Sequence, residues 1–149
     1  LFTDRFFLAG SSARIDRLNS KTAPPRPSDI PPDALLLLDE GHCLADQALV
    51  VCGLTRGRQT VDLGASSLAT LCGLVAQGFG LTFVPEIAAA AEQAASPDMA
   101  LMRFPDPQPE RTIALVRRKS TLSSAWFTDL AALLSDAGDV LLRSSREKE

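Results

Sequence analysis

Two cysteines at the ends of one short predicted helix are the residues of this 149-residue chain best placed to do chemistry. Cys43 follows a Gly-containing turn, and Cys52 comes nine residues later, directly before Gly53. A glycine just past the last helical residue is a common cap, so the spacing predicts a helix from Cys43 to Cys52. At about 1.5 Å and 100° per residue, this helix holds the cysteines roughly 13 Å apart on opposite faces. A disulfide needs Cα atoms about 4.4 to 6.8 Å apart, so the two can join only if the helix unwinds.

The residues beside Cys43 favour its reactive form. A cysteine in the first turn feels the positive end of the helix dipole, which favours the nucleophilic thiolate. His42, the only histidine in the sequence, precedes it, and Asp46 lies one turn further on. The histidine could protonate a leaving oxygen, and the carboxylate could accept a hydrogen bond. The alternative is that Cys43 packs as a small apolar side chain, as free cysteines often do, beside a solvated histidine.

The motif around Cys43 carries a family resemblance. Gly-His-Cys-Leu-x-Asp-Gln-Ala at residues 41–48, with a second cysteine nine residues after the first, resembles OxyR, the peroxide-sensing branch of the LysR-type transcriptional regulators. Three further stretches are similar to that family in the same order: residues 65–71, 75–85 and 110–116. The similarity covers nearly the whole chain, and the cysteine block is its most specific part.

The resemblance implies the fold class and the domain organisation. We expect an α/β, periplasmic-binding-protein-like effector domain that is incomplete. Residues 1–107 would form regulatory subdomain II with the cysteine pair, and residues 108–149 the C-terminal portion of subdomain I. The winged helix-turn-helix domain that holds DNA in this family has no counterpart in the sequence, so the chain is expected to be a fragment.

The resemblance also implies a redox sensor and not an enzyme. Hydrogen peroxide is expected to oxidise Cys43 to a sulfenic acid, after which Cys43 forms a reversible disulfide with Cys52. This change would rearrange the domain and alter DNA binding by the full-length oligomer. His42 and Asp46, the neighbours of Cys43, are expected to support this chemistry. Arg111 is expected to support it as well, because it matches an arginine that the family places near the reactive thiol. No cofactor is implied, and one histidine at these spacings does not compose a zinc site.

The expected partners follow from the same family. They are hydrogen peroxide, cytosolic thiol reductants and further copies of the protein, as a dimer or a tetramer of the full-length chain. Promoter DNA would be bound only through the absent N-terminal domain. In LysR-type proteins the helix after residues 65–67 lies at the dimer interface, which places Leu68, Leu71 and Val75 there.

Composition limits the other possibilities. The formal net charge is −3, and no Lys or Arg occurs from residue 59 to residue 102, whereas phosphate binding needs clustered basic residues. No apolar run approaches the roughly 18 residues of a membrane span, and no signal peptide is recognisable. Three cysteines, an odd number, argue against a secreted disulfide framework and for the cytoplasm.

The elements that must position the cysteines can be read in order. The segment from Gly10 to Asp33 is predicted to be a surface loop because its prolines oppose a regular helix. Ser66 or Ser67 should begin a helix with Leu68, Leu71, Cys72 and Val75 on its apolar face. The predicted strands, for which we expect parallel pairing, are residues 5–9, 34–38, 60–63, 81–84 and 111–116. One further helix is predicted at residues 85–95. A last helix should carry one apolar face made of Trp126, Leu130, Leu133, Leu134 and Ala137. Residues 54–58 are expected to form a flexible link, and residues 104–110 a crossover.

Two other functions remain open on the sequence alone. A LysR-type effector domain could sense a small organic metabolite without thiol chemistry. A thiol-dependent peroxidase or hydrolase would also use Cys43, but it needs a base and an oxyanion site that the sequence does not assemble.

Overall fold

A four-stranded sheet built around the first strand organises the fold. The computed structural model describes residues 1–20, 23–39, 41–53, 64–118 and 125–146. Strand β1, Phe2–Ser11, pairs antiparallel with all three other strands, which are β2 (Thr82–Pro85), β3 (Met99–Arg103) and β4 (Glu110–Ile113). Its later residues lie between β2 and β3, whereas Phe2–Arg5 pair with β4. Strand β1 therefore joins two ladders, and its first half brings β4 to the sheet.

The prediction of parallel strand pairing is wrong for the strands that pair with β1. Because β2 and β3 are both antiparallel to β1, they run in the same direction as each other, with a helix between them in the chain. Strand β2, the helix Glu86–Ala95 and strand β3 follow one another in the chain, but β1 is inserted between the two strands. Parallel pairing within the described ranges occurs at a single bridge, Leu35 to Leu81. A local pattern predicts that strands exist, whereas their neighbours are decided by distant residues.

The predicted loop from Gly10 to Asp33 contains a helix that the sequence reading missed. Helix α1 spans Ser12–Asn19 and buries Ile15, which is 1% exposed. The prolines that oppose a helix begin only at Pro24, so they do not restrict the residues of α1. The proline-containing part forms two short 3₁₀ turns, Pro27–Asp29 and Pro32–Ala34.

The predicted helices are present, with small changes of extent. Helix α2 is Cys43–Cys52, α3 is Leu68–Ala76, α4 is Glu86–Ala95 and α5 is Ala125–Arg146. Ser67 caps α3, since its side chain accepts a hydrogen bond from the Thr70 N–H at 3.1 Å. The predicted strand at residues 34–38 is buried but keeps only the bridge to Leu81, and the predicted strand at 111–116 ends at Ile113. The predicted link at 54–58 and strand at 60–63 lie outside the described residues.

Helix α5 packs on a different face from the one that its apolar residues predicted. It lies against α4 and β1 through Gly138, Leu142 and Ser145. Gly138 is required there, because a Cβ would overlap the ring of Phe2. The predicted face is instead exposed, as shown by Trp126 at 59% and Leu133 at 65%.

Alternation along β1 creates two apolar layers. Phe7 and Ala9 face one cluster, which includes residues of α3 and α4, whereas Phe6 and Leu8 face the other, which includes Ile15 of α1. Helix α2 contributes to both clusters, with Ala45 in the first and Ala48 in the second. No helix in the described ranges is long and apolar enough to cross a bilayer. The division between residues 107 and 108 stays a prediction.

Candidate redox site

Helix α2 places Cys43 at its exposed start. His42 is the N-cap residue with extended backbone, and Gly53 closes the helix in the left-handed conformation at φ +64°. Ala45, Ala48 and Leu49 are buried, whereas Val50 is 79% exposed. Ala45 and Ala48 each bury less apolar area than a Leu or Phe would, whereas Leu49 is a large buried side chain of this helix among the described residues.

The structure brings three of the predicted site residues together on the first turn of α2. Cys43 carries a free, exposed thiol. His42 and Asp46 are also exposed, and both flank it within the same turn. An exposed cysteine at a helix N-terminus is accessible to a small oxidant. The alternative of Cys43 as a buried apolar residue is therefore wrong.

Cys52 is the last residue of α2, as the spacing predicted. Its side chain lies outside the described part of the chain. With ten helical residues from Cys43 to Cys52, the two Cα atoms stand at opposite ends of the element. A helix rises about 1.5 Å per residue, so they are roughly 13 Å apart, beyond the reach of a disulfide while α2 is intact.

Arg111 of β4 contacts α2 directly. Its Nη1 donates a hydrogen bond to Oε1 of Gln47 at 2.9 Å. Gln47 lies four residues after Cys43 and so on the same side of the helix. The prediction that Arg111 lies near the reactive thiol receives support from this bond, because it ties the guanidinium to the turn that follows Cys43.

Asp4 is a member of the site that the sequence reading missed. It is fully buried, and its Oδ2 is 2.8 Å from Nη2 of Arg111. The two residues are direct partners in the β1–β4 ladder. The signal for Asp4 in the sequence was its carboxylate directly before the predicted buried strand at residues 5–9. Its partner Arg111 lies 107 positions away in the chain, so the contact itself could not be predicted.

Cys72 packs in the core, which confirms its predicted role. Its side chain is 0% exposed, in the cluster between α3 and the sheet. Burial, and to a lesser degree the charge of Glu92, raises the pKa of its thiol from 9.0 to about 12. At neutral pH this cysteine stays a thiol, the form that reacts poorly with peroxide.

The residues predicted for the dimer interface lie mostly in the chain's own core. Leu71 and Val75 are 2% and 0% exposed and belong to the apolar cluster over the sheet. Leu68 is half-buried, and Ala69 and Thr70 are exposed beside it. A partner could therefore touch α3 through Leu68 and these neighbours, while Leu71 and Val75 support the helix from below.

A cavity elsewhere in the fold bears on the metabolite alternative. A space of about 500 Å³ lies between α1 and the proline-containing segment, and its walls include Arg14, Arg17 and Asp29. Cavities of roughly 300 to 1,000 Å³ commonly hold small ligands. Its described walls include no residue of α2 and do not include Arg111. Among the residues described, no cluster of His, Cys, Asp or Glu could hold a metal ion.

The sequence and fold both match known proteins. The LysR substrate binding domain family matches residues 1–139. A probable hydrogen peroxide-inducible genes activator of Streptomyces viridosporus is 43% identical over 109 residues, covering 69% of this chain and 33% of that protein. The HTH-type transcriptional regulator EstR of Acinetobacter baylyi is 41% identical over 106 residues, covering 71% and 35%. The structure of a hydrogen-peroxide-bound cysteine mutant of Corynebacterium glutamicum OxyR has a TM-score of 0.74 at 30% identity, covering 99% of this chain and 46% of that one.

The chain belongs to the LysR substrate-binding domain family. Its structural neighbours include the regulatory domains of OxyR proteins, which confirms both the predicted fold class and the resemblance to OxyR. The chain spans about a third of the length of the curated relatives it matches.

Proposed function

We propose that this chain is the redox-sensing part of a hydrogen-peroxide-responsive transcription regulator. The observation that carries the proposal is the free, exposed thiol of Cys43 at the start of α2, a helix whose Gln47 accepts a hydrogen bond from Arg111. The relatives named as hydrogen peroxide-inducible activators give independent support.

The first chemical step takes place at Cys43. Its thiolate attacks one oxygen of hydrogen peroxide, so that an S–O bond forms and the O–O bond breaks. The leaving hydroxide takes up a proton and departs as water, which leaves Cys43 as a sulfenic acid. His42 is the neighbouring group that could deliver the proton, and the Arg111 guanidinium could stabilise charge on the leaving oxygen.

The second step joins the two cysteines. The thiolate of Cys52 attacks the sulfenic sulfur, an S–S bond forms, and hydroxide leaves and is protonated to water. Helix α2 must unwind for this step, because its length separates the two Cα atoms. Ala45 and Ala48 make its undocking less costly than large side chains at these two positions would, although the buried Leu49 must also leave the core. Cytosolic dithiols then reduce the bridge and reset the sensor.

Unwinding of α2 supplies the signal. The Gln47–Arg111 hydrogen bond would break. The 3₁₀ turn Pro27–Asp29 contacts α2, so the surface beside this turn would change as well. In an oligomer of the longer protein, this change would alter the contacts between copies and therefore the spacing of DNA-binding domains that the described chain does not contain. The device acts stoichiometrically and not as an enzyme.

Counting thiols in the denatured chain tests the proposal. The sequence contains three cysteines, and peroxide treatment should remove two thiols and leave one. Cys43→Ser should abolish this loss, whereas Cys72→Ala, the matched control, should still lose two thiols. Retention of all thiols in the unmodified chain, or loss of two in the Cys43→Ser variant, would refute the proposal.

A metabolite sensor is the second candidate, favoured by the cavity beside α1. Such a protein would respond to a small organic ligand and keep its response after Cys43→Ser. A transcriptional response that survives this substitution would select it over the peroxide sensor.

A further inference from the structure

We infer that Asp4 is a positioning residue for the peroxide reaction, because it fixes the Arg111 guanidinium that is hydrogen-bonded to Gln47 of α2, four residues after Cys43. This inference rests on the proposed function. It concerns a buried carboxylate on β1 that lies far from the cysteines in sequence and contacts Arg111 of the site.

Both carboxylate oxygens of Asp4 have partners on other elements. Oδ2 accepts from Nε of Arg111 at 2.9 Å and lies 2.8 Å from Nη2 of the same side chain. Oδ1 accepts the backbone N–H of Ile87, in the first turn of α4, at 3.1 Å. The carboxylate is thus oriented by α4 on one side and orients the arginine on the other. Its complete burial keeps water from competing for these bonds.

Arg111 is consequently held in one orientation. Two of its nitrogens contact Asp4, the third points to Oε1 of Gln47 at 2.9 Å, and its guanidinium lies 5.6 Å from the centre of the Phe6 ring. An arginine has only donors, so Gln47 must present its oxygen to it. If the contacts to Asp4 were lost, the long side chain would regain its rotamer freedom and the donor at Gln47 of α2 would be displaced.

The reaction is sensitive to this placement. Breaking the O–O bond develops negative charge on the leaving oxygen, and a fixed cation beside it lowers the barrier. A displacement of about 1 Å in such a group can cost about a hundredfold in rate. Alkylation of the same thiol by iodoacetamide expels iodide and develops no charged oxygen. Comparing the peroxide and iodoacetamide rates therefore distinguishes an effect of Arg111 placement from a change in the accessibility of Cys43.

The test compares both rates in the unmodified chain and in Asp4→Asn. The peroxide rate should fall about tenfold or more, because the amide is neutral and cannot hold both Arg111 and Ile87 as acceptor. The iodoacetamide rate should change much less. A peroxide rate that is unchanged, or a fall shared equally by both reagents, would overturn the inference.

A second carboxylate provides the matched control. Glu86 is also fully buried and contacts an arginine, with Oε1 3.0 Å from Nη2 of Arg103. Glu86→Gln should perturb the fold comparably without a selective loss of the peroxide rate. If it lowers the peroxide rate as selectively as Asp4→Asn does, the effect of Asp4 is a general one of buried charge and the inference fails.

A double variant shows whether Asp4 acts through Arg111. Arg111→Lys keeps the positive charge but not the fork that reaches both Asp4 and Gln47. If Asp4 acts only by orienting Arg111, Asp4→Asn combined with Arg111→Lys should be no slower with peroxide than Arg111→Lys alone. Additive losses would contradict the inference. If the unmodified chain forms no Cys43–Cys52 disulfide after peroxide treatment, the proposed function itself is refuted.

Discussion

Cys43 and Cys72, the two cysteines with described side chains, carry the same thiol group in very different surroundings. Cys43 is exposed at a helix start, whereas Cys72 is enclosed by the core, where burial raises its pKa to about 12. The folded chain therefore keeps the proton of Cys72 in conditions under which an unfolded thiol would lose it. Position alone separates a thiol suited to sensing from one suited to packing.

The Cys72 thiol should make stability depend on alkaline pH. The pKa of about 12 in the folded chain exceeds the ordinary thiol value of 9.0, so its contribution to stability is present below about pH 9 and is lost as pH rises toward about 12. Urea unfolding across this window should show a steeper fall in the free energy of unfolding for the unmodified chain than for Cys72→Ala. Equal slopes would show that burial does not perturb this thiol.

The residues of the site also differ in how visible they are in the sequence. His42, Cys43 and Asp46 lie within one turn, so their spacing alone placed them together. Asp4 and Arg111 meet because the β1–β4 ladder pairs them, and no local pattern predicts that pairing. The family resemblance supplied Arg111 but gave no reason to single out Asp4.

At the scale of elements, local signals at the helix ends predicted α2 and α3 well, whereas α1 was missed. Gly53 ends α2 at a positive φ, and Ser67 caps α3. Strand β3 was missed because Met99–Arg103 contains no β-branched or aromatic residue that would favour a strand. It forms because its backbone pairs with β1, which is a tertiary effect.

The cap of α2 should set the redox potential of the cysteine pair. Gly53→Ala forces a side chain into the left-handed region, at a cost of about 1 to 2 kcal/mol to the helical, reduced form. Since about 1.4 kcal/mol corresponds to about 30 mV, the potential should become roughly 30 mV more negative. Equilibration against glutathione buffers measures this shift.

Gly73→Ala within α3 is the control for that measurement. Gly73 has no atom within 4 Å of an added Cβ, so the substitution should leave the potential unchanged. A potential that does not respond to Gly53→Ala would mean that α2 is not the element that oxidation disrupts.

The two sides of α5 should respond differently to truncation. Leu142 is 6% exposed, so Leu142→Ala should lower the free energy of unfolding by about 2 kcal/mol or more. Leu133 is 65% exposed, so Leu133→Ala should change it by less than about 0.5 kcal/mol. Chemical denaturation of both variants measures the difference, and equal effects would contradict the observed orientation of the helix.

At the scale of the whole molecule, an apolar stripe on α5 remains uncovered. Exposed large side chains on this helix are Trp126, Leu133, Leu134, Val140 and Leu141. Contiguous exposed apolar surface of this kind usually mediates association. The stripe includes Trp126, Leu133 and Leu134 of the apolar face predicted from the sequence, and all three are exposed.

This stripe should make the chain self-associate. Sedimentation across a dilution series is expected to show larger species at higher concentration, and Leu133→Glu should shift the population toward monomer by placing a charge on the stripe. The exposed position makes a loss of folding by this variant unexpected. A monodisperse, cooperatively melting monomer at every concentration would contradict the expectation.

The central claim is that Cys43 and Cys52 are apart in the reduced chain and become bonded only after peroxide has acted. Cleavage before Asp46 separates the two cysteines into different peptides, so a bridge appears as two peptides with one combined mass. Non-reducing digestion and mass measurement should find these peptides separate before hydrogen peroxide and joined after it, with Cys72 unlinked in both samples. Peptides that remain separate after oxidation, or that are already joined in the untreated chain, would contradict the account.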